Sequence, residues 1–120
     1  MKTKTLVLGL IALAVVGIAA YVMVSSSAKA LVFADDNSPV MYFYSDSCIH
    51  CKEQKPVLQE LAKEGYRVKL MDVLSHPEYW DQYQISGTPT FLAANGDKQV
   101  GFTQKEALGV WLESHGARIA

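Results

Sequence analysis

Cysteine is scarce in this chain: two residues in 120, Cys48 and Cys51, too few for the several bridges that hold a small secreted scaffold together. A bridge between such near neighbours closes a tiny loop and removes little entropy from the unfolded chain, so stability is a poor reason for the pair to exist. Charge of one sign is lacking as well. Eleven basic residues against twelve acidic ones leave a net charge of −1, which gives no footprint for nucleic acid or for an anionic membrane surface. There is no phosphate loop and no nucleotide fingerprint, so no organic cofactor is expected. Histidine is limited to His50, His76 and His115. Zinc would need two of them beside the cysteines, and their spacing fits no finger, so no metal site is expected. No internal repeat and no low-complexity tract is present.

What the chain does have is an apolar N-terminus. Lys2 and Lys4 precede an uncharged run from Thr5 to Ser27, whose apolar part spans Leu6 to Val24. A bilayer core takes about 20 helical residues and the apolar region of a signal peptide about 7 to 15, so the length favours a membrane span through residues 6–24. Ala28-Lys29-Ala30 nevertheless has the small-x-small form of a cleavage site, which leaves a removed signal open. In both cases the leading lysines hold the N-terminus in the cytoplasm and the rest of the chain is exported. A buried soluble-core helix is excluded, because the remaining chain is too short to wrap a helix that is apolar all round. The expected organisation is a membrane anchor or signal segment with linker over residues 1–30 and one compact domain over 31–120. The domain lies on the periplasmic or extracellular side of the inner membrane, or free in the periplasm after cleavage at Ala30. There, disulfides form and persist.

Within that domain, Leu31-Val32-Phe33 reads as a short edge strand. Val40 to Tyr44 is a continuous apolar run, as expected of a strand buried on both faces. Ser45-Asp46-Ser47 supplies helix N-caps, and Val57, Leu58, Leu61 and Ala62 recur at helical spacing up to Gly65, so the cysteine pair opens a helix. Pro56 should bend it. Tyr66 to Val73 reads as a second strand. Ser75-His76-Pro77-Glu78 matches a capping box that starts a short helix to about Tyr83. Thr90–Ala94 and Gln99–Phe102 flank Asn95-Gly96, a strong hairpin signal. Thr103-Gln104-Lys105-Glu106 is a second capping box, opening a helix with Ala107, Leu108, Trp111 and Leu112 on its apolar face. Trp80 and Trp111 fit packing better than a cofactor box. The order is βαβαββα, which predicts an α/β domain: a mixed sheet with helices on both faces.

The dithiol stands at the start of a helix, where unpaired N–H groups and the dipole lower a thiol pKa. Cys48 is therefore expected to be the attacking thiolate, with Cys51 one turn on as the resolving thiol. His50 between them would stabilise the sulfur anion, and a stabilised reduced state makes the disulfide the stronger oxidant.

With a strand feeding Cys48-Ile49-His50-Cys51, Pro56 eight residues after Cys48, and Gly87-Thr88-Pro89-Thr90 later, residues of about 40–115 resemble the thioredoxin superfamily. The resemblance implies a thioredoxin-like fold and a cis-proline at Pro89 opposite the dithiol. It also implies that Thr88 pairs with an extended substrate strand and that Gly101 leaves room for bound peptide. Three departures stand out. Tyr42 replaces the buried acid six residues before the first cysteine, Ser47 replaces the tryptophan just before it, and Ile49-His50 replaces Gly-Pro. A histidine before the second cysteine is similar to the DsbA family of periplasmic oxidases, but there is no room for that family's inserted helical domain. The expected function is a thiol–disulfide oxidoreductase acting on exported thiol or disulfide proteins, coupled to a membrane redox partner, with disulfide donation slightly favoured. A reductase of exported thiols and a copper- or zinc-handling binding module are the alternatives.

Overall fold

A computed structural model describes residues 32–120; the expected span at 6–24 and the Ala28-Lys29-Ala30 site lie outside them. Among the described residues no helix is long and apolar enough to cross a membrane. The elements run β1 (Val40–Tyr44), α1 (Ile49–Lys63), β2 (Lys69–Asp72), α2 (Tyr79–Gln82), β3 (Thr90–Ala93), β4 (Lys98–Val100) and α3 (Lys105–Ser114). They build one four-stranded sheet in the order β2-β1-β3-β4. β1 pairs in parallel with β2 and antiparallel with β3, and β3 pairs antiparallel with β4.

The alternation of a strand sends successive side chains to opposite faces, and β1 feeds two cores in this way. Val40 and Tyr42 join Leu58 and Leu61 of α1, Phe91 of β3, and Leu108 and Leu112 of α3. Phe43 joins Met71, Val73, Ile85 and Leu92, with Tyr79 and Trp80 of α2 and the adjacent Tyr83 packed against them. Phe43 and Phe91 are 0 % exposed, each contributing about 2–3 kcal/mol by burial. Gly109 lets α3 settle onto α1, since a methyl there would stand 3.2 Å from the Leu61 side chain.

Several boundaries move. The pairing near Phe33 is a single parallel bridge at Ala34 to Val68, while Val32 is exposed and Phe33 is buried in the core. β2 is shorter than Tyr66–Val73 because its leading residues pair elsewhere: Tyr66 bridges Arg118, and the Val68 N–H bonds to the Phe33 carbonyl. Asp72 ends the strand by accepting the Leu74 and Ser75 N–H groups. Neither capping box forms. Ser75 donates its hydroxyl to Asp72, and Glu78 takes the cap position of α2 with no side-chain bond. Thr103 is buried with its N–H donated to Gln54, so Gln104 becomes the cap of α3, also without a side-chain bond. Ala107 is exposed, and Leu108 and Leu112 carry the buried face of α3. The hairpin turns at Asn95-Gly96, where Gly96 has φ +95° and the Ala93 N–H bonds to the Asp97 carbonyl. β4 stops at Val100 because Gly101 turns the chain with φ +87°.

Candidate active site

β1 delivers the chain from the middle of the sheet to the dithiol. Ser45, Asp46 and Ser47 form the connecting turn rather than the helix cap: the two serine hydroxyls bond to each other at 2.8 Å and the Cys48 N–H donates to the Ser45 carbonyl. Cys48 itself is the N-cap of α1. Its backbone is extended (φ −84°, ψ 119°) and its Sγ accepts the Cys51 N–H at 3.2 Å. A sulfur thus occupies the place where serine or aspartate usually satisfies an orphan helix donor. No acidic residue occupies the first turn to offset the positive end of the helix.

Both cysteines are free thiols, Cys48 partly exposed and Cys51 5 % exposed. Partial burial pushes the Cys48 pKa up, but hydrogen bonds from the Cys51 thiol, Thr88 and the backbone N–H groups of Cys51 and His50 outweigh it and hold it below the ordinary thiol value. Burial, followed by the bond with Cys48, pushes Cys51 up to about 11. The pair is therefore asymmetric: one accessible sulfur is easily ionised, and the buried one is held protonated.

The Thr88–Pro89 loop lies across from this cap. The Cys48 Sγ–H donates to the Thr88 carbonyl at 3.4 Å, and the Thr88–Pro89 peptide bond is cis. Thr90 pins the loop through its hydroxyl on the Gly87 carbonyl at 2.7 Å, and Gly101 donates its N–H to the Pro89 carbonyl at 2.8 Å. A methyl on Gly101 would meet nothing within 4 Å, so its positive φ is what selects glycine there. Cys48, Cys51, Thr88, Pro89 and Gly101 are thereby joined in one bonded set.

His50 enters differently from expectation. Its ring is exposed and stands 3.8 Å from Glu53, while its backbone N–H is one of the groups that lower the Cys48 pKa. Tyr42, in the place of the family's buried acid, is 3 % exposed and stacked on Tyr44 and Phe91. Burial, then the nearby Cys51 and Cys48, push its phenol well above the usual tyrosine range. It cannot take a proton at neutral pH. His76 pairs with Glu78 and stacks on Tyr79, and His115 is tied to Asp97 and the Trp111 carbonyl. Among the described residues there is no cluster of three or more His, Cys, Asp or Glu side chains placed to hold a metal ion.

Sequence reasoning missed Gln54. It is 0 % exposed, and its amide bonds to both backbone groups of Thr103. The available signal was a polar residue at the same helical register as Leu58 and Leu61.

The sequence profile of the family described as Thioredoxin matches residues 20–114. The chain belongs to the thioredoxin family. Thioredoxin of Rickettsia felis (strain ATCC VR-1525 / URRWXCal2) is 31% identical over 94 residues, covering 72% of this chain and 90% of that protein. Human protein disulfide-isomerase A4 is 28% identical over 111 residues, covering 82% of this chain, which spans only 17% of that relative's length. Among solved structures, a mutant thioredoxin from Halobacterium salinarum NRC-1 is similar with a TM-score of 0.57 and 26% identity, over 71% of this chain and 80% of the other. Membership of that family supports a thiol–disulfide oxidoreductase, and Cys48 and Cys51 are the two cysteines of the chain.

Proposed function

We propose that this thioredoxin-family member is a thiol–disulfide oxidoreductase of exported proteins, working through Cys48 and Cys51 with disulfide donation slightly favoured. The observation that carries the reading is the placement of the two sulfurs: Cys48 caps α1 with its Sγ accepting the Cys51 N–H at 3.2 Å, and Cys51 is buried behind it, which holds Cys48 low and Cys51 raised. In the donating direction a substrate thiolate attacks Cys48 of the Cys48–Cys51 disulfide and releases Cys51, which takes up a proton. A second substrate thiol then displaces Cys48 from the mixed disulfide, so two electrons pass to the protein and the substrate leaves oxidised. In reverse, the Cys48 thiolate attacks a substrate disulfide and Cys51 resolves. Hydrogen bonds that favour the Cys48 thiolate stabilise the reduced protein, which makes its disulfide the better oxidant.

Thr88, beside the sulfur, would pair its backbone with an extended substrate segment, with Pro89 shaping the edge and Gly101 leaving it uncrowded. No cofactor beyond the cysteine couple is required. The charge pattern of the N-terminus supports export, with the domain held at the membrane through residues 6–24 or released by cleavage after Ala30. Its partners would be exported thiol or disulfide proteins and a membrane redox partner.

Two measurements test this. Cys51→Ser should accumulate mixed disulfides on Cys48 with exported proteins, and their complete absence overturns exchange as the activity. The reduction potential of the Cys48–Cys51 couple should lie above that of thioredoxin, about −270 mV; a value near that figure sinks the donating direction and leaves a reductase.

A further inference from the structure

Gln54 sits one helical turn beyond Cys51, on a buried face otherwise made of Cys51, Leu58, Leu61 and Ala62. An amide gains nothing from burial unless it is paired, and an apolar side chain would fill this position without a desolvation cost. Both polar atoms of Gln54 have a partner. Its Nε2 donates to the Thr103 carbonyl at 3.0 Å and its Oε1 accepts the Thr103 N–H at 2.9 Å. The two bonds reproduce the donor and acceptor pattern of a neighbouring strand, and they reach a segment that has no strand beside it.

Beyond the pairing of Val100 with β3 and the Gly101 N–H on the Pro89 carbonyl, that segment has little else to hold it. Val100 is 56% exposed and Phe102 41%, so apolar burial does not anchor the passage from β4 to α3. Thr103 passes the restraint on, donating its hydroxyl to the Gly101 carbonyl at 3.2 Å while accepting from Gln99. Gly101 in turn donates its N–H to the Pro89 carbonyl at 2.8 Å, next to the Thr88 carbonyl that meets the Cys48 thiol at 3.4 Å. The path leaves the helix that carries the dithiol and returns to the dithiol from the opposite side.

We infer that Gln54 is a positioning residue for substrate: it clamps Thr103, and through Gly101 it fixes the Thr88–Pro89 edge at its working distance from Cys48. The inference rests on the exchange reading above. Gln54 touches neither sulfur nor substrate; its effect is on where an extended peptide is held, not on the reactivity of the thiolate.

The test uses the full 120-residue chain in mild detergent, with dithiothreitol supplying two electrons per turnover and its uncatalysed rate subtracted, and two substrates: a peptide carrying an internal disulfide and a small aromatic disulfide that has no peptide to dock. Gln54→Met keeps the length and removes the amide. With both bonds to Thr103 gone and the Thr88 edge displaced, KM for the peptide should rise about tenfold, the factor carried by one hydrogen bond lost between peptide and edge, with kcat and the rate on the small disulfide unchanged. Val68→Ala, a core truncation outside the path, supplies the comparison for loss of stability alone. An unchanged KM, or an equal slowing on both substrates as in Val68→Ala, overturns the clamp. If Gln54→Met does not fold, Thr103→Val decides. It preserves both bonds to Gln54 and cuts the link to Gly101, so a raised peptide KM supports the path and an unchanged one overturns it. A wild-type protein that turns over neither disulfide refutes the exchange reading itself, a result distinct from any difference among variants.

Discussion

The sulfur of Cys48 caps the helix that carries Cys51, accepting the Cys51 N–H at 3.2 Å. One thiol is thereby stabilised as an anion by the backbone of the other, and the second is buried behind it. The direction of each shift fixes what titration should show.

Alkylation of reduced protein should take place first at Cys48. The thiolate is the reactive form, so the rate rises with pH and levels off above the lowered pKa, below the free cysteine value of about 8.5. A folded pKa held below the unfolded one also adds stability to the reduced protein above the unfolded value, and that contribution is lost as pH falls through the folded one. A pH profile of alkylation by mass spectrometry checks the first point. A midpoint at or above the free cysteine value contradicts the capped thiolate.

Resolution by Cys51 should be limited by its proton. Burial, the largest cause of the raised Cys51 pKa, persists in a mixed disulfide on Cys48, so with Tyr42 unable to accept a proton at neutral pH, breakdown of a preformed mixed disulfide should accelerate roughly tenfold per pH unit through the neutral range. Stopped-flow decay of a fluorescent peptide mixed disulfide measures this. A plateau near pH 7 would reveal a proton acceptor other than Tyr42.

His50 should matter through its backbone more than its ring. His50→Ala is expected to move the reduction potential by less than about 30 mV, the equivalent of about 1.4 kcal/mol. His50→Pro fits the first turn of a helix but removes the N–H that reaches Cys48, so the Cys48 pKa should rise and the potential fall. Equal effects from the two variants would restore the ring to the mechanism.

The β3–β4 hairpin is fastened to the end of α3 by a pH-sensitive pair. The Asp97 carboxylate, then the Trp111 carbonyl, raise the pKa of His115, and His115 with Asn95 lowers that of Asp97. A raised histidine pKa gives stability that is complete below the unfolded value of about 6.5 and is lost as pH rises through the folded one. The lowered carboxylate contributes above its unfolded value and loses that contribution as pH falls through the folded one. His115→Asn should therefore lower the thermal midpoint more near about pH 6 than near about pH 9. An equal loss at both leaves only a neutral contact.

Gly65 should tolerate no side chain. It has φ +96°, and a methyl there would come 2.5 Å from the Ala120 carbonyl oxygen. Gly65→Ala should cost more than about 1 kcal/mol, read from the denaturant midpoint, with alkylation at Cys48 unaffected.

The sequence by itself determined the dithiol, the strand before it, the hairpin at Asn95-Gly96 and the alternation of helices and strands. Each depends on neighbours a few residues apart, through periodicity, turn chemistry or cysteine spacing. Only the tertiary structure decided what caps each helix, because a cap depends on who else claims its donors. Ser75 turned to Asp72, Thr103 was taken by Gln54, and Cys48 became the cap that Ser45, Asp46 and Ser47 were expected to provide. β2 was shortened for the same reason, by pairing with Ala34 and Arg118 from distant parts of the chain. The closure from Gln54 to Pro89 likewise arises from contacts between segments up to 49 residues apart, which no local pattern encodes.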